Sequence, residues 1–226
     1  MTGARSSMLF SGGVGHPFDE TSPILAGYID AAGWACRIET DLDATIDALA
    51  QTDLLAINAL YWSMTQDEKY APLREEWARE ISDTQMGAIE QFVHRGGRLF
   101  VLHTATICWD TQPRWRALIG GGWQWGVSHH PPLGRFAVAL TDEGSELTDG
   151  PQNFMLVDEA YHALVPASDC TVLATADLGQ GTQPLAWVRN ARRGRVAVDA
   201  LGHDPRSLTQ PGHHALIRGQ LQWLAR

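Results

Sequence analysis

The apolar residues of this chain fall in short, nearly continuous runs set between amphipathic stretches and glycine- or proline-rich breaks. "SSMLFSGG" (6–13) reads as a buried strand ending in glycines, and "DLLAINAL" (53–60) and "RLFVLHT" (98–104) read as strands covered on both faces. "ACRIET" (35–40) alternates as a strand does. Between them lie three helical patterns. The first is capped by Thr21 or Ser22, carries Pro23 in its first turn and is closed by Gly33. The second covers Leu42 to Ala50, and the third runs from Thr84 to His94, stopped by Gly96 and Gly97. Residues 61–83 are polar and aromatic, too long for a plain loop, and predict a lid or a short helical insertion. Downstream, "RFAVAL" (135–140), "CTVLATA" (170–176), "PLAWVR" (184–189) and "RVAVDA" (195–200) read as strands, and Gly212 to Arg226 as a closing helix.

Strands alternating with helices in the first hundred residues predict an α/β, three-layer sandwich. Its central sheet is mostly parallel, and the strand-rich later part supplies an antiparallel extension. One domain over residues 1–226 is expected, since a chain of that length buries a proper core.

Composition narrows the function. A hydrophobic content of 44% against 19% charged residues excludes a disordered chain. The net charge of −9, from 17 basic and 26 acidic residues, argues against nucleic acid, and Arg192, Arg193 and Arg195 form the only tight basic group. No apolar run is long enough to span a membrane, and the N-terminal stretch lacks the pattern of a signal peptide. Cys36, Cys108 and Cys170 are odd in number and widely spaced, which fits free thiols in the cytoplasm.

The histidines carry the candidate chemistry. Open parallel sheets bind ligands at the carboxyl ends of their strands. His16 follows the first strand, His103 ends "RLFVLH", and His203 follows "RVAVDA" in "ALGHDP", so three distant segments aim an imidazole at one edge. His94, His213 and His214 sit on or beside helices and are expected in solvent. In "VDEAYH" (157–162), adjacent residues of an extended chain face opposite ways, so Glu159 and not Asp158 shares the side of Tyr161. "SGGVG" is not a dinucleotide cradle, because Phe18 stands where the third glycine belongs. No metal motif such as H-E-x-x-H is present. The sequence requires no cofactor, but a divalent metal held by His103, His203 and one of His129 or His130 stays open. "WGVSHHPP" (125–132) places both of the latter before a stiff proline pair.

"GHPFDE", "GGRLFVLHTAT", "LIGGGWQWGVSHHP", "DEAYH", "PLAWVRNARRGRVAVDALGHD" and "HHALIRGQLQW" together resemble the trehalose-utilisation (ThuA-like) family over almost the whole chain. The resemblance implies a flavodoxin-like fold similar to class I glutamine amidotransferases. It also implies a carbohydrate substrate, a disaccharide or keto-glycoside. Amidotransferases carry a nucleophilic cysteine at a strand-to-helix elbow. Here the matching "VLHTA" has His103 instead, and Cys108 comes five residues too late, so glutaminase activity is not expected. The expected catalytic set is His103 and His203 as an acid–base pair, with Asp204 or Glu159 orienting one imidazole. His16, His130, its neighbour His129, Asp158 and Tyr161 are expected to bind substrate, and Trp62, Trp123 and Trp125 to stack on a sugar ring. Two alternatives stay open: a sugar-binding or regulatory module without catalysis, and a metal-dependent hydrolase. The aromatic insertion either covers the site or packs on a second subunit, which leaves a homo-oligomer open.

Overall fold

The computed structural model describes residues 5–148, 153–179 and 181–226. The chain opens with β1 (Arg5–Gly13), α1 (Phe18–Ala31), β2 (Trp34–Glu39), α2 (Leu42–Ala48) and β3 (Leu54–Leu60). The aromatic insertion folds as a 3₁₀ segment (Glu68–Leu73) and α3 (Arg74–Trp77), followed by α4 (Asp83–His94), β4 (Arg98–Leu102) and α5 (Pro113–Ile119). Then come β5 (Gly134–Leu140), α6 (Asp142–Leu147), β6 (Asn153–Asp158), β7 (Thr171–Asp177), β8 (Thr182–Ala191), β9 (Gly194–Asp199), α7 (Pro205–Leu208) and α8 (Pro211–Ala225).

Nine strands form one mixed sheet in the order β2-β1-β3-β4-β9-β8-β7-β5-β6. The pairs from β2 through β9 are parallel, and those from β9 through β6 are antiparallel. The apolar residues of the central strands point alternately to the two faces of the sheet, and both faces are covered. Leu9, Leu54, Ala56, Phe100 and Ala197 face one way, onto Leu25 and Ile29 of α1 and Leu216, Leu221 and Leu224 of α8. Phe10, Leu55, Ile57, Val101 and Val198 face the other way, onto Met86, Ile89 and Phe92 of α4 and Trp115 and Ile119 of α5. A strand with an apolar core on each face has to read as an unbroken hydrophobic run. Among the described residues no helix is long and apolar enough to cross a membrane.

Three expectations need correction. α1 starts one turn earlier than predicted, with Pro17 at its N-cap, so Thr21 and Ser22 lie inside the helix. Their hydroxyls are buried and take up the Asn58 amide, which outweighs their usual preference for a cap. His213, expected in solvent, is fully buried in α8, because it faces Asp199 from the last strand. Between 109 and 160, β6 and the short helices α5 and α6 were not legible as elements.

The glycines that close β1 serve close packing. Gly13 has φ +120°, and a Cβ there would sit 2.3 Å from the carbonyl oxygen of Leu60 on β3. Only glycine lets the two strand ends approach in this way.

Candidate functional site

The site is built where β1, β4 and β9 end. His16 lies in the loop between β1 and α1. His103 follows directly on β4, at a strand-to-helix elbow whose 3₁₀ turn spans His103–Thr106. Its φ of +47° is left-handed, a conformation that costs a non-glycine residue about 1–2 kcal/mol and is commonly kept where function needs it. His203 sits in the loop from β9 to α7, and Glu159 comes one residue after β6.

These four side chains converge. His16 Nε2, His103 Nε2 and His203 Nδ1 lie 3.6, 3.6 and 3.5 Å from a single atom, Glu159 Oε2. The rings stand edge to face at 64–85° with centroids 4.7–5.7 Å apart, so they point at a shared centre and do not stack on one another. The one donor atom that each of the four offers lies within 4.8 Å of all the others. His103 is fixed most firmly. Its Nδ1 donates to the Ala200 carbonyl at 2.9 Å, so in the neutral ring the lone pair is on Nε2. Tyr161 Oη lies 3.1 Å from this Nε2, and its ring stacks on the imidazole.

Burial and charge set the protonation. Although desolvation by itself would raise it, the carboxyl of Glu159 is held well below the usual range, because His103, His16 and His203 surround it. Burial pushes His16 down towards its neutral form. His203 moves the other way, raised by Glu159, and it is the most exposed of the three at 19%.

The remaining expected residues divide into those near the cluster and those turned away. His130 Nδ1 lies 3.7 Å from Glu159 Oε1 on the open side, with its ring near Trp123 and Tyr161. His129 instead stacks on His162, and the two also form a backbone bridge. Trp62, Trp125 and Trp123 run as a chain of rings with centroids 6.2 and 5.9 Å apart, and Trp123 meets Tyr161 edge-on at 5.2 Å. An aromatic wall therefore leads from the insertion to the cluster. Beyond His16 a groove of about 430 Å³ is lined by Gly12, Phe18, Tyr61 and Trp77.

Asp158 and Asp204 do not enter the cluster. Asp204 caps α7 and pairs with Arg206, so it orients no imidazole. Asp158 is buried on the opposite side from Glu159. Its Oδ1 accepts from the backbone N–H groups of Glu159 (2.7 Å) and His203 (3.3 Å), and its Oδ2 from that of Gly202 (2.8 Å) and from the Ser207 hydroxyl. Ser207 Oγ in turn lies 3.0 Å from His213 Nδ1, while His213 Nε2 faces Asp199 Oδ2 at 3.4 Å. This buried chain fixes the two loops that carry Glu159 and His203. Sequence reading missed Asp199, Ser207 and His213. The signal was there in "RVAVDA", where an acid inside an apolar strand demands a buried partner.

Cys108 stands outside the cluster. It is buried, its thiol donates to the Ala59 carbonyl, and burial pushes its pKa up to about 12.

No curated protein matches the sequence. Among solved structures, a ThuA-like protein of Parabacteroides merdae superposes with a TM-score of 0.77 at 14% identity, covering 99% of this chain and 90% of that one. A second ThuA-like protein, from Bacteroides uniformis, gives 0.71 at 15% identity over 98% and 91% of the two chains. A cytoplasmic protein of Salmonella typhimurium gives 0.65 at 15% identity over 96% and 99%. At such identities these likenesses show a shared fold. The family model described as trehalose utilisation matches residues 8–224, with every residue of the histidine–glutamate cluster inside it. The chain belongs to the trehalose utilisation (ThuA) family.

Proposed function

We propose that this protein is a carbohydrate-processing enzyme that acts on a disaccharide or keto-glycoside at the histidine–glutamate cluster. The observation that carries the reading is the convergence of three imidazoles on one carboxylate oxygen at the end of an aromatic wall. Sugar rings present apolar faces to indoles and hydroxyls to polar groups, and this site pairs those two surfaces. The family's association with trehalose utilisation supports the same substrate class.

A carbonyl at C3 of a sugar acidifies the C2 hydrogen. A base can then remove that proton while an acid protonates the departing glycosidic oxygen. Imidazoles suit both tasks near neutral pH. Groups in reach are the cluster itself, His130 on its open side and the Tyr161 hydroxyl.

The test is turnover of 3-keto-trehalose and related 3-keto-glycosides, followed by release of free sugar. Wild-type protein should cleave at least one of them, and His203→Ala should lower kcat by about 10²–10⁴-fold, the usual contribution of a positioned proton-transfer group. Tight sugar binding without turnover would instead make the chain a binding module.

A further inference from the structure

We infer that His16, His103, His203 and Glu159 hold a divalent transition-metal ion. The inference deepens the proposed function, since it concerns the same cluster, but it stands on the geometry of these four residues.

Hydrogen bonding does not explain the arrangement. N–H···O bonds run at about 2.7–3.2 Å, whereas the three imidazole nitrogens stop at 3.5–3.6 Å from Glu159 Oε2. Atoms each about 2.0–2.2 Å from a common tetrahedral ion are separated by roughly 3.3–3.6 Å. The observed spacing is that of ligands around a shared centre. Both ring nitrogens of His16 and Nδ1 of His203 are buried without a hydrogen-bond partner. Buried polar atoms are seldom left so, and a cation would satisfy the nitrogen of each ring that faces the cluster.

The surroundings are those of a supported metal site. Ligating histidines usually donate their second ring N–H to a carbonyl or carboxylate, as His103 does to Ala200. Asp158 holds the backbone of both Glu159 and His203, so one buried carboxylate registers two of the four ligands. Three imidazoles and a carboxylate suit zinc, manganese or iron and are a poor set for magnesium or calcium. The Tyr161 hydroxyl now against His103 Nε2 would yield that lone pair to the ion. Partial exposure of Glu159 and His203 leaves one side accessible to a substrate oxygen. With three imidazoles committed to the ion, His130 would carry the proton in place of His203, and the loss of kcat expected for His203→Ala would come from the lost ligand.

The experiment uses the full chain, stripped with chelator and titrated separately with Zn²⁺ and Mn²⁺ by calorimetry, with metal content measured after desalting. One equivalent of at least one ion should bind. Glu159→Gln and His16→Ala should each weaken it by about 100-fold or more, and Asp158→Asn by about 10–100-fold, the range for supporting residues. Far-ultraviolet circular dichroism of each variant separates lost ligands from lost folding. Because His16 lies in a loop, His16→Ala serves if the glutamate variant does not fold. Binding below a tenth of an equivalent, or folded ligand variants that bind as the wild type does, would overturn the inference. Turnover of a keto-glycoside by a chain that binds neither ion would overturn it while leaving the proposed function in place. One bound equivalent without any sugar turnover would uphold the metal site and sink the carbohydrate reading.

Discussion

Asp158→Asn tests the internal scaffold of the site most sharply, since it keeps the shape of the side chain but removes its charge and one of its two acceptor oxygens. The wild-type carboxylate is 1% exposed and accepts from three backbone N–H groups and the Ser207 hydroxyl. An amide can accept through one oxygen only, so its NH₂ must face two of those donors. Hydrogen bonds to a charged group contribute about 1.5–3 kcal/mol each, and losing two costs roughly 3–6 kcal/mol. For a chain of this size 1 kcal/mol moves Tm by about 2–4 °C, so a cost near 4 kcal/mol lowers Tm by about 8–16 °C. Differential scanning calorimetry measures the shift. The same substitution frees the backbone of Glu159 and His203, so the keto-glycoside turnover proposed above should fall even at temperatures where the variant is folded. A variant that melts within about 2 °C of wild type, less than 1 kcal/mol on that scale, would refute the reasoning. It would mean that Asp158 does not bear those bonds.

Other predictions follow from particular residues. His213 is raised above its ordinary value, since the Asp199 carboxylate, with help from Asp158, outweighs the burial that would lower it. It therefore stabilises the fold fully below about pH 6.5, and this contribution is lost as pH rises through its folded-state value. Urea unfolding from pH 6 to 9 should show the decline, and His213→Gln should flatten it; a wild-type profile already flat would count against the buried ion pair. Gly13→Ala puts a methyl group against the Leu60 carbonyl at φ +120°, and overpacking plus backbone strain should cost about 2–5 kcal/mol in a thermal melt. An alanine variant as stable as wild type would show that the β1 and β3 ends can part. In native protein a thiol reagent should titrate the half-buried Cys36 and Cys170 first and reach Cys108 only on unfolding. Fast reaction of all three, or ammonia release from glutamine that is lost on Cys108→Ser, would revive a cysteine nucleophile.

Much of the fold could be read from local pattern. β1, β3 and β4 lie between two apolar layers, so the sequence has to write them as unbroken hydrophobic runs, and glycines mark where α4 stops. The strand ends that carry His16, His103 and His203 follow from the same pattern. So does the side taken by Glu159, because successive side chains of an extended segment alternate. The Thr21–Ser22 cap failed for an equally physical reason: a hydroxyl can serve a cap or a buried amide, and local sequence does not show that Asn58 waits across the sheet.

By itself, then, the sequence determined the α/β class, the parallel run of strands and the edge at which the histidines emerge, since each depends on residues near in the chain. Tertiary structure alone decided that three imidazoles share one carboxylate oxygen, and that His130 approaches it while His129 stacks on His162. It also decided that Asp158, Ser207, His213 and Asp199 form a buried support. Those relations join segments up to 187 residues apart, from His16 to His203, and strand order sets them. Periodicity reports which face a side chain takes, but not which distant residue meets it there.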